Sequence, residues 1–208
     1  MKKILVVLLV IFTLASVSLA ASGITGKGVK LGINFSGIAG SDVSSDEWKR
    51  KGGIAAGVFL VFGINESFAI QPEILISQKG AKYESINNGE VLRAWSNLTF
   101  LEIPILADFF IPMNSRLNFH PCFFTGPFLG LKIRGKTRTE WRGEITKGEI
   151  EDSRALDFGL IFGAGTSFTL GPGKITVDIR YSWSLTSILK NREVKNNVLS
   201  ILFGYSFN

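Results

Sequence analysis

Residues 96–133, SNLTFLEIPILADFFIPMNSRLNFHPCFFTGPFLGLKI, alternate in character with a period of two on both sides of a central break. Leu101, Ile103, Ile105, Ala107, Phe109 and Ile111 fall on odd positions, with Glu102, Pro104 and Asp108 among the even ones. Pro112-Met113-Asn114-Ser115 then supplies turn chemistry. Beyond it Leu117, Phe119, Phe123, Leu129 and Leu131 hold odd positions, while Asn118, His120, Cys122, Gly126, Gly130 and Lys132 hold even ones. A period of two sends alternate side chains to opposite faces of a strand, so this stretch predicts a long β-hairpin. One face is dense in Phe, Ile and Leu. The other is rich in glycine and sparse in charge, which suits a crowded interior better than a water-facing surface. Strands that cross a bilayer take about 9–11 residues, apolar side outward.

The chain opens Met1-Lys2-Lys3, runs apolar from Ile4 to Leu14 and reaches Ser18-Leu19-Ala20. A basic start, a short apolar core and small residues at a cleavage point make residues 1–20 a secretory signal peptide, leaving 21–208 as one domain. The apolar core falls short of the roughly 20 residues a membrane helix needs. Removing Lys2 and Lys3 from the 23 basic residues leaves 21 against 17 acids, too mild a balance to argue for nucleic acid. A single cysteine, Cys122, excludes an intramolecular disulfide. No later apolar run resembles a membrane helix, so a membrane-resident form must be a closed barrel.

The same alternation recurs along the chain. Strands are expected at 29–37, 54–64, 68–79, the two halves of the hairpin, 154–170, 174–189 and 198–207, eight in all. Pro72, inside the third, predicts a bulge or a local break in pairing. The connections alternate between long polar loops (38–53, 80–93, 135–153, 190–197) and tight turns (65–67, 112–115, 171–173). That sorting predicts an all-β, eight-stranded antiparallel up-and-down transmembrane β-barrel, with tight turns in the periplasm and long loops outside. Phe62, Phe68, Phe109, Phe119, Phe168 and Phe207 gather near the tight turns, and Trp95 and Trp183 at the opposite ends, with Trp48 and Trp141 in the loops. Two aromatic girdles are what a bilayer's two interfaces select.

In this order the segments GVKLGINFSG, QPEILISQKG, LEIPILADF, GPFLGLKI, DFGLIFGAGTSF and LFGYSF resemble the PorT-like outer-membrane β-barrel domain, the "porin family". The resemblance implies an eight-stranded barrel in the bacterial outer membrane and little about activity. One branch of that family is linked to secretion, and no motif here belongs to it specifically. The closing aromatic strand resembles the signal read by barrel-assembly machinery.

An eight-stranded barrel is about narrow enough to be filled by its own side chains. The inward set includes Lys30, Asn34, Gln71, Glu73, Glu102, Asp108, His120, Lys132, Asp157, Asp178 and Arg180. Glu73, Glu102, Asp178 and Arg180 fall near mid-depth, and we expect them to form one ion network plugging the lumen, because buried charges must be paired. A narrow path for small solutes or ions is the alternative. A lipid-modifying enzyme would need a nucleophile and base at the outer leaflet, whereas the only histidine, His120, falls near a periplasmic turn. We therefore expect no catalytic, cofactor or metal site. Expected partners are outer-membrane lipid, barrel-assembly machinery during biogenesis, and an envelope or secretion-machinery protein. The loop 135–153, with Arg138, Trp141 and Arg142, is the candidate external binding element.

Overall fold

The computed structural model describes residues 23–41, 48–87, 90–112, 119–150, 153–189 and 193–207. The expected signal peptide, and from the central hairpin Met113, Asn114, Ser115, Leu117 and Asn118, lie outside the described residues. Ten strands form one antiparallel sheet: β1 (Ile24–Ala39), β2 (Trp48–Asn65), β3 (Phe68–Lys79), β4 (Ala81–Asn87), β5 (Glu90–Phe110), β6 (Phe119–Trp141), β7 (Glu144–Glu149), β8 (Leu156–Leu170), β9 (Gly173–Ser184) and β10 (Lys195–Phe207). Eight of them close a ring in the order β1, β2, β3, β5, β6, β8, β9, β10, with β10 returning to pair with β1 from Lys27↔Phe207 to Ala39↔Lys195. Closure removes the free strand edges whose backbone groups lipid could not satisfy.

The alternation decides which side faces out. Phe123 and Ile179 are 59% and 54% exposed, whereas Glu102 and Arg180, their polar counterparts by parity, are 6% and 2% exposed. Val29, Leu31, Ile33, Val58, Leu60, Ile74, Ile76 and Phe203 extend the apolar outer belt. At the tight-turn end Phe68 stacks with Phe109 (5.1 Å between centroids), Phe119 with Phe168 (5.4 Å) and Tyr205 with Phe207 (4.9 Å). At the other end Trp48 meets Tyr83 at 5.1 Å. Pro72 leaves a gap in the ladder with β2 without shifting its register, a break in pairing rather than a bulge, and the gap in the β3–β5 ladder falls opposite Pro104.

Two expected loops are strand instead, and a third, 38–53, is strand from Trp48 onward. Residues 80–93 hold β4 and the start of β5, and 135–153 hold the end of β6 and β7. β4 continues β3 beyond a kink at Gly80, pairing with the same neighbours, β2 and β5. A Cβ at Gly80 would lie 2.0 Å from the Ser96 carbonyl oxygen, so only glycine fits the bend. The backbone groups freed there are taken up by side chains. Gly80 N–H donates to Ser36 Oγ (2.9 Å), whose hydroxyl donates to Gly80 O (2.8 Å), and Ala81 N–H donates to Ser96 Oγ (2.9 Å). Beside this kink the β5–β6 register shifts between Thr99 and Phe100. At its far end β6 turns into β7 through Arg142 (φ 51°) and Gly143 (φ 81°), the paired positive angles of a type I′ hairpin turn. Both stretches read as loops because, apart from Gly80, Ala81 and Ser153, their described residues are half-buried or exposed, so they lack the one-sided apolar pattern that marked the other strands. The expected strand 174–189 is shorter too: β9 stops at Ser184, and the Leu185 and Thr186 amides turn inward to the Phe158 carbonyl.

Candidate functional site: the barrel lumen and the blade beyond the ring

The inward residues assemble into two ionic layers. In the layer nearer the tight-turn end, Lys30 Nζ lies between Glu73 Oε1 (2.8 Å) and Asp178 Oδ2 (2.6 Å). Arg180 reaches the same carboxylates, Nη1 to Glu73 Oε2 at 2.7 Å and Nη2 to Asp178 Oδ2 at 3.0 Å. Gln71 Nε2 donates to Glu73 Oε1 at 2.8 Å. All these groups come from different parts of the ring, β1, β3 and β9, so the layer ties the barrel across its axis. Burial in a low-dielectric interior strengthens each of these contacts and makes an unpaired member costly.

The second layer is closer to the opposite end of the barrel. Lys79 Nζ pairs with Glu102 and with Asp157 Oδ2 (3.1 Å). Asp157 also accepts from Ser184 Oγ (3.1 Å), Thr186 Oγ1 (3.3 Å) and Asn196 Nδ2 (3.2 Å). The expected single network of Glu73, Glu102, Asp178 and Arg180 is therefore two. Glu102 belongs with Lys79: its partner across the ladder is Leu75, two residues up β3 from Glu73, and Lys79 reaches it from the top of β3. Lys79 shares odd parity with Glu73 and Ser77, which turns it into the lumen with them.

Aromatic rings fill the space that the charges leave. Lys79 Nζ sits over Phe128 (4.7 Å) and Phe100 (5.2 Å), Lys30 over Phe59 (4.9 Å) and the Arg180 guanidinium over Phe124 (5.4 Å). Each of three rings lies against a cross-strand glycine: Phe124↔Gly163, Phe128↔Gly159 and Phe59↔Gly28. A Cβ on those glycines would come within 2.3–2.6 Å of the ring. The glycine-rich inner face is thus the complement of inward phenylalanines, and Phe59, Phe100, Phe124 and Phe128 break the simple apolar-out pattern of the sequence. Leu106, Phe124, Phe128 and Ile161 form a small apolar core among them. Between the layers, amid Asn34, Ser77, Lys79, Glu102 and Arg180, the free volume is about 10 Å³, room for at most one water.

Below the Lys30–Arg180 layer the lumen opens into a vestibule of about 440 Å³ at the tight-turn end. His120 is exposed at this vestibule and Cys122 half-buried in its wall. Among the described residues no three His, Cys, Asp or Glu side chains are grouped to hold a metal ion.

At the other end β4, the start of β5, the end of β6, and β7 form a blade of sheet beyond the ring. Arg138 stacks on its cross-strand partner Trp95 at 5.4 Å, and Lys82 lies over the same indole at 6.0 Å. Trp141 has the opposite parity and meets Arg142 instead, at 4.8 Å. Arg142 Nε donates to Glu90 Oε2 at 2.7 Å, tying the β6–β7 turn to the start of β5. The three residues expected to act together are therefore split, Trp141 and Arg142 in one contact and Arg138 in another.

The outer membrane protein beta-barrel domain model matches residues 26–190. Among solved structures, the attachment invasion locus protein Ail of Yersinia pestis is 15% identical over 88% of this chain and 98% of that one, with a TM-score of 0.46. Neisserial surface protein A is 15% identical over 89% and 99%, TM-score 0.47. OprG of Pseudomonas aeruginosa is 10% identical over 90% and 98%, TM-score 0.42. No curated protein matches the chain. With most of its ring matched by one family model, the chain belongs to the outer membrane protein β-barrel domain family, and its place is the bacterial outer membrane.

Proposed function

We propose that this protein is a non-enzymatic, non-conducting barrel, made with a signal peptide at 1–20, that holds a stiff blade of sheet at the cell surface for contact with another envelope or surface component. The observation that carries this reading is the mismatch between strand length and membrane thickness. A crossing takes about 9–11 residues, whereas β5 has 21 and β6 has 23. The excess is paired strand on the extracellular side, rigid where a loop would be mobile. Every residue of β7 is exposed, and Trp141 and Ile145 are each 51% exposed. Exposed apolar and cationic groups on a fixed scaffold are the ordinary means of protein recognition. The filled lumen supports the same reading, since a platform has no use for a pore. The ordered PorT-like segments support a PorT-like barrel domain, with no motif specific to its secretion branch. Outer-membrane lipid surrounds the belt, and barrel-assembly machinery is the partner proposed for biogenesis.

The test replaces residues 136–149 with a short turn. We expect the variant to fold into lipid vesicles like the full chain while losing the proteins that the full chain retains in pull-downs from its native envelope. An unchanged set of retained proteins would remove the blade from the account.

A further inference from the structure

We propose that the periplasmic vestibule is a binding site for a small organic cation, a primary ammonium group on a short apolar body, with Asp108 as its counter-charge. Asp108 on β5 lines the vestibule and is only 4% exposed. Its Oδ1 has no hydrogen-bond partner, and no ion pair among the described residues reaches it. The cations nearest in the lumen are committed elsewhere: Lys30 and Arg180 are both shared between Glu73 and Asp178. Among the described residues the buried lumen charges are unequal as well, three cations (Lys30, Lys79, Arg180) against five carboxylates (Glu73, Glu102, Asp108, Asp157, Asp178). A buried carboxylate without a partner is the costly case, and a bound cation resolves it.

One further group fits the same ligand. Thr176 Oγ1 on β9 is buried, lacks a partner and lines the same cavity. An ammonium carries three N–H donors and no acceptor, and the vestibule offers it a carboxylate and a hydroxyl oxygen from two strands. Val61, Ala69, Phe110 and Phe124 supply an apolar wall. Lys174 and His120 also line the space; neither is buried. The volume, about 440 Å³, is that of a small-molecule pocket. The Lys30–Arg180 layer closes its inner end, so the ligand enters and leaves on the periplasmic side.

Cys122 lines this cavity and is the only cysteine in the chain, so it reports on the site without added labels. Two methanethiosulfonate reagents, one ending in ethylammonium and one in ethylsulfonate, each form a mixed disulfide with the thiolate and release methanesulfinate. With the full barrel in lipid vesicles or detergent, we expect the cationic reagent to be favoured about tenfold more than on a free thiol in solution. n-Butylammonium should slow labelling, and 1-butanol and butyrate at equal concentration should not. Asp108→Asn should abolish both the cation preference and the protection. Should that variant fail to fold, the n-butylammonium comparison on the unaltered chain decides alone. Equal protection by butanol, or a preference that survives Asp108→Asn, would overturn the assignment.

Discussion

Arg180→Met is expected to destabilise the folded barrel by about 3–5 kcal/mol, measured by urea unfolding in lipid vesicles. Arg180 is 2% exposed and joins two carboxylates, Glu73 and Asp178, that are themselves 1% and 5% exposed. Removing the guanidinium leaves Lys30 alone to balance both. The loss comes chiefly from the carboxylates left behind, not from the attraction removed. The double variant Arg180→Met with Glu73→Gln should therefore recover part of the loss, since one cation then faces one carboxylate. Arg180→Lys is not a conservative change here. A lysine offers a single ammonium where the planar guanidinium holds two acceptors at fixed spacing, so only partial retention of stability is expected.

Ile103→Arg is the second large expectation, about 2–4 kcal/mol against folding into lipid. Ile103 is on the outer face of β5, opposite Leu129 on β6, several residues from either end of the membrane crossing. A charge there must snorkel to an interface or drag water into the acyl region. Ile111→Arg, on the same face next to the tight-turn end, should cost only about 0–1 kcal/mol because the headgroups are within reach. A dependence on depth of this kind separates lipid exposure from exposure to water, where neither change would matter.

Much of this architecture could be read from residues alone. The period of two identified the ring strands, and β3 was placed from Phe68 to Lys79 without error at either end. Parity correctly turned Glu73, Asp178 and Arg180 inward. What parity could not supply was partner choice. Glu102 lies on the inner face as expected, yet its cation is Lys79, fixed by the stagger between β3 and β5 that no local pattern encodes. The inward phenylalanines were hidden for a related reason. Phe124 and Phe128 stand at even positions beside large outward residues, and only the cross-strand pairing with Gly163 and Gly159 explains how they fit. The blade was missed because both its faces meet water, so no apolar side marks it. Its signals were turn residues instead: Arg142-Gly143, and in the sequence Asn88-Gly89, the dipeptide most characteristic of tight hairpins.

The claim on which the rest depends is that ionic layers and phenylalanine rings occupy the whole cross-section of the barrel. Planar-bilayer recording of the purified full chain tests it directly. The membrane should stay electrically silent after insertion, with insertion itself verified by protease protection of the ring strands. Stable, large conductance steps from the same inserted protein would contradict it, since no continuous water path can thread the 10 Å³ left between Lys79 and Arg180.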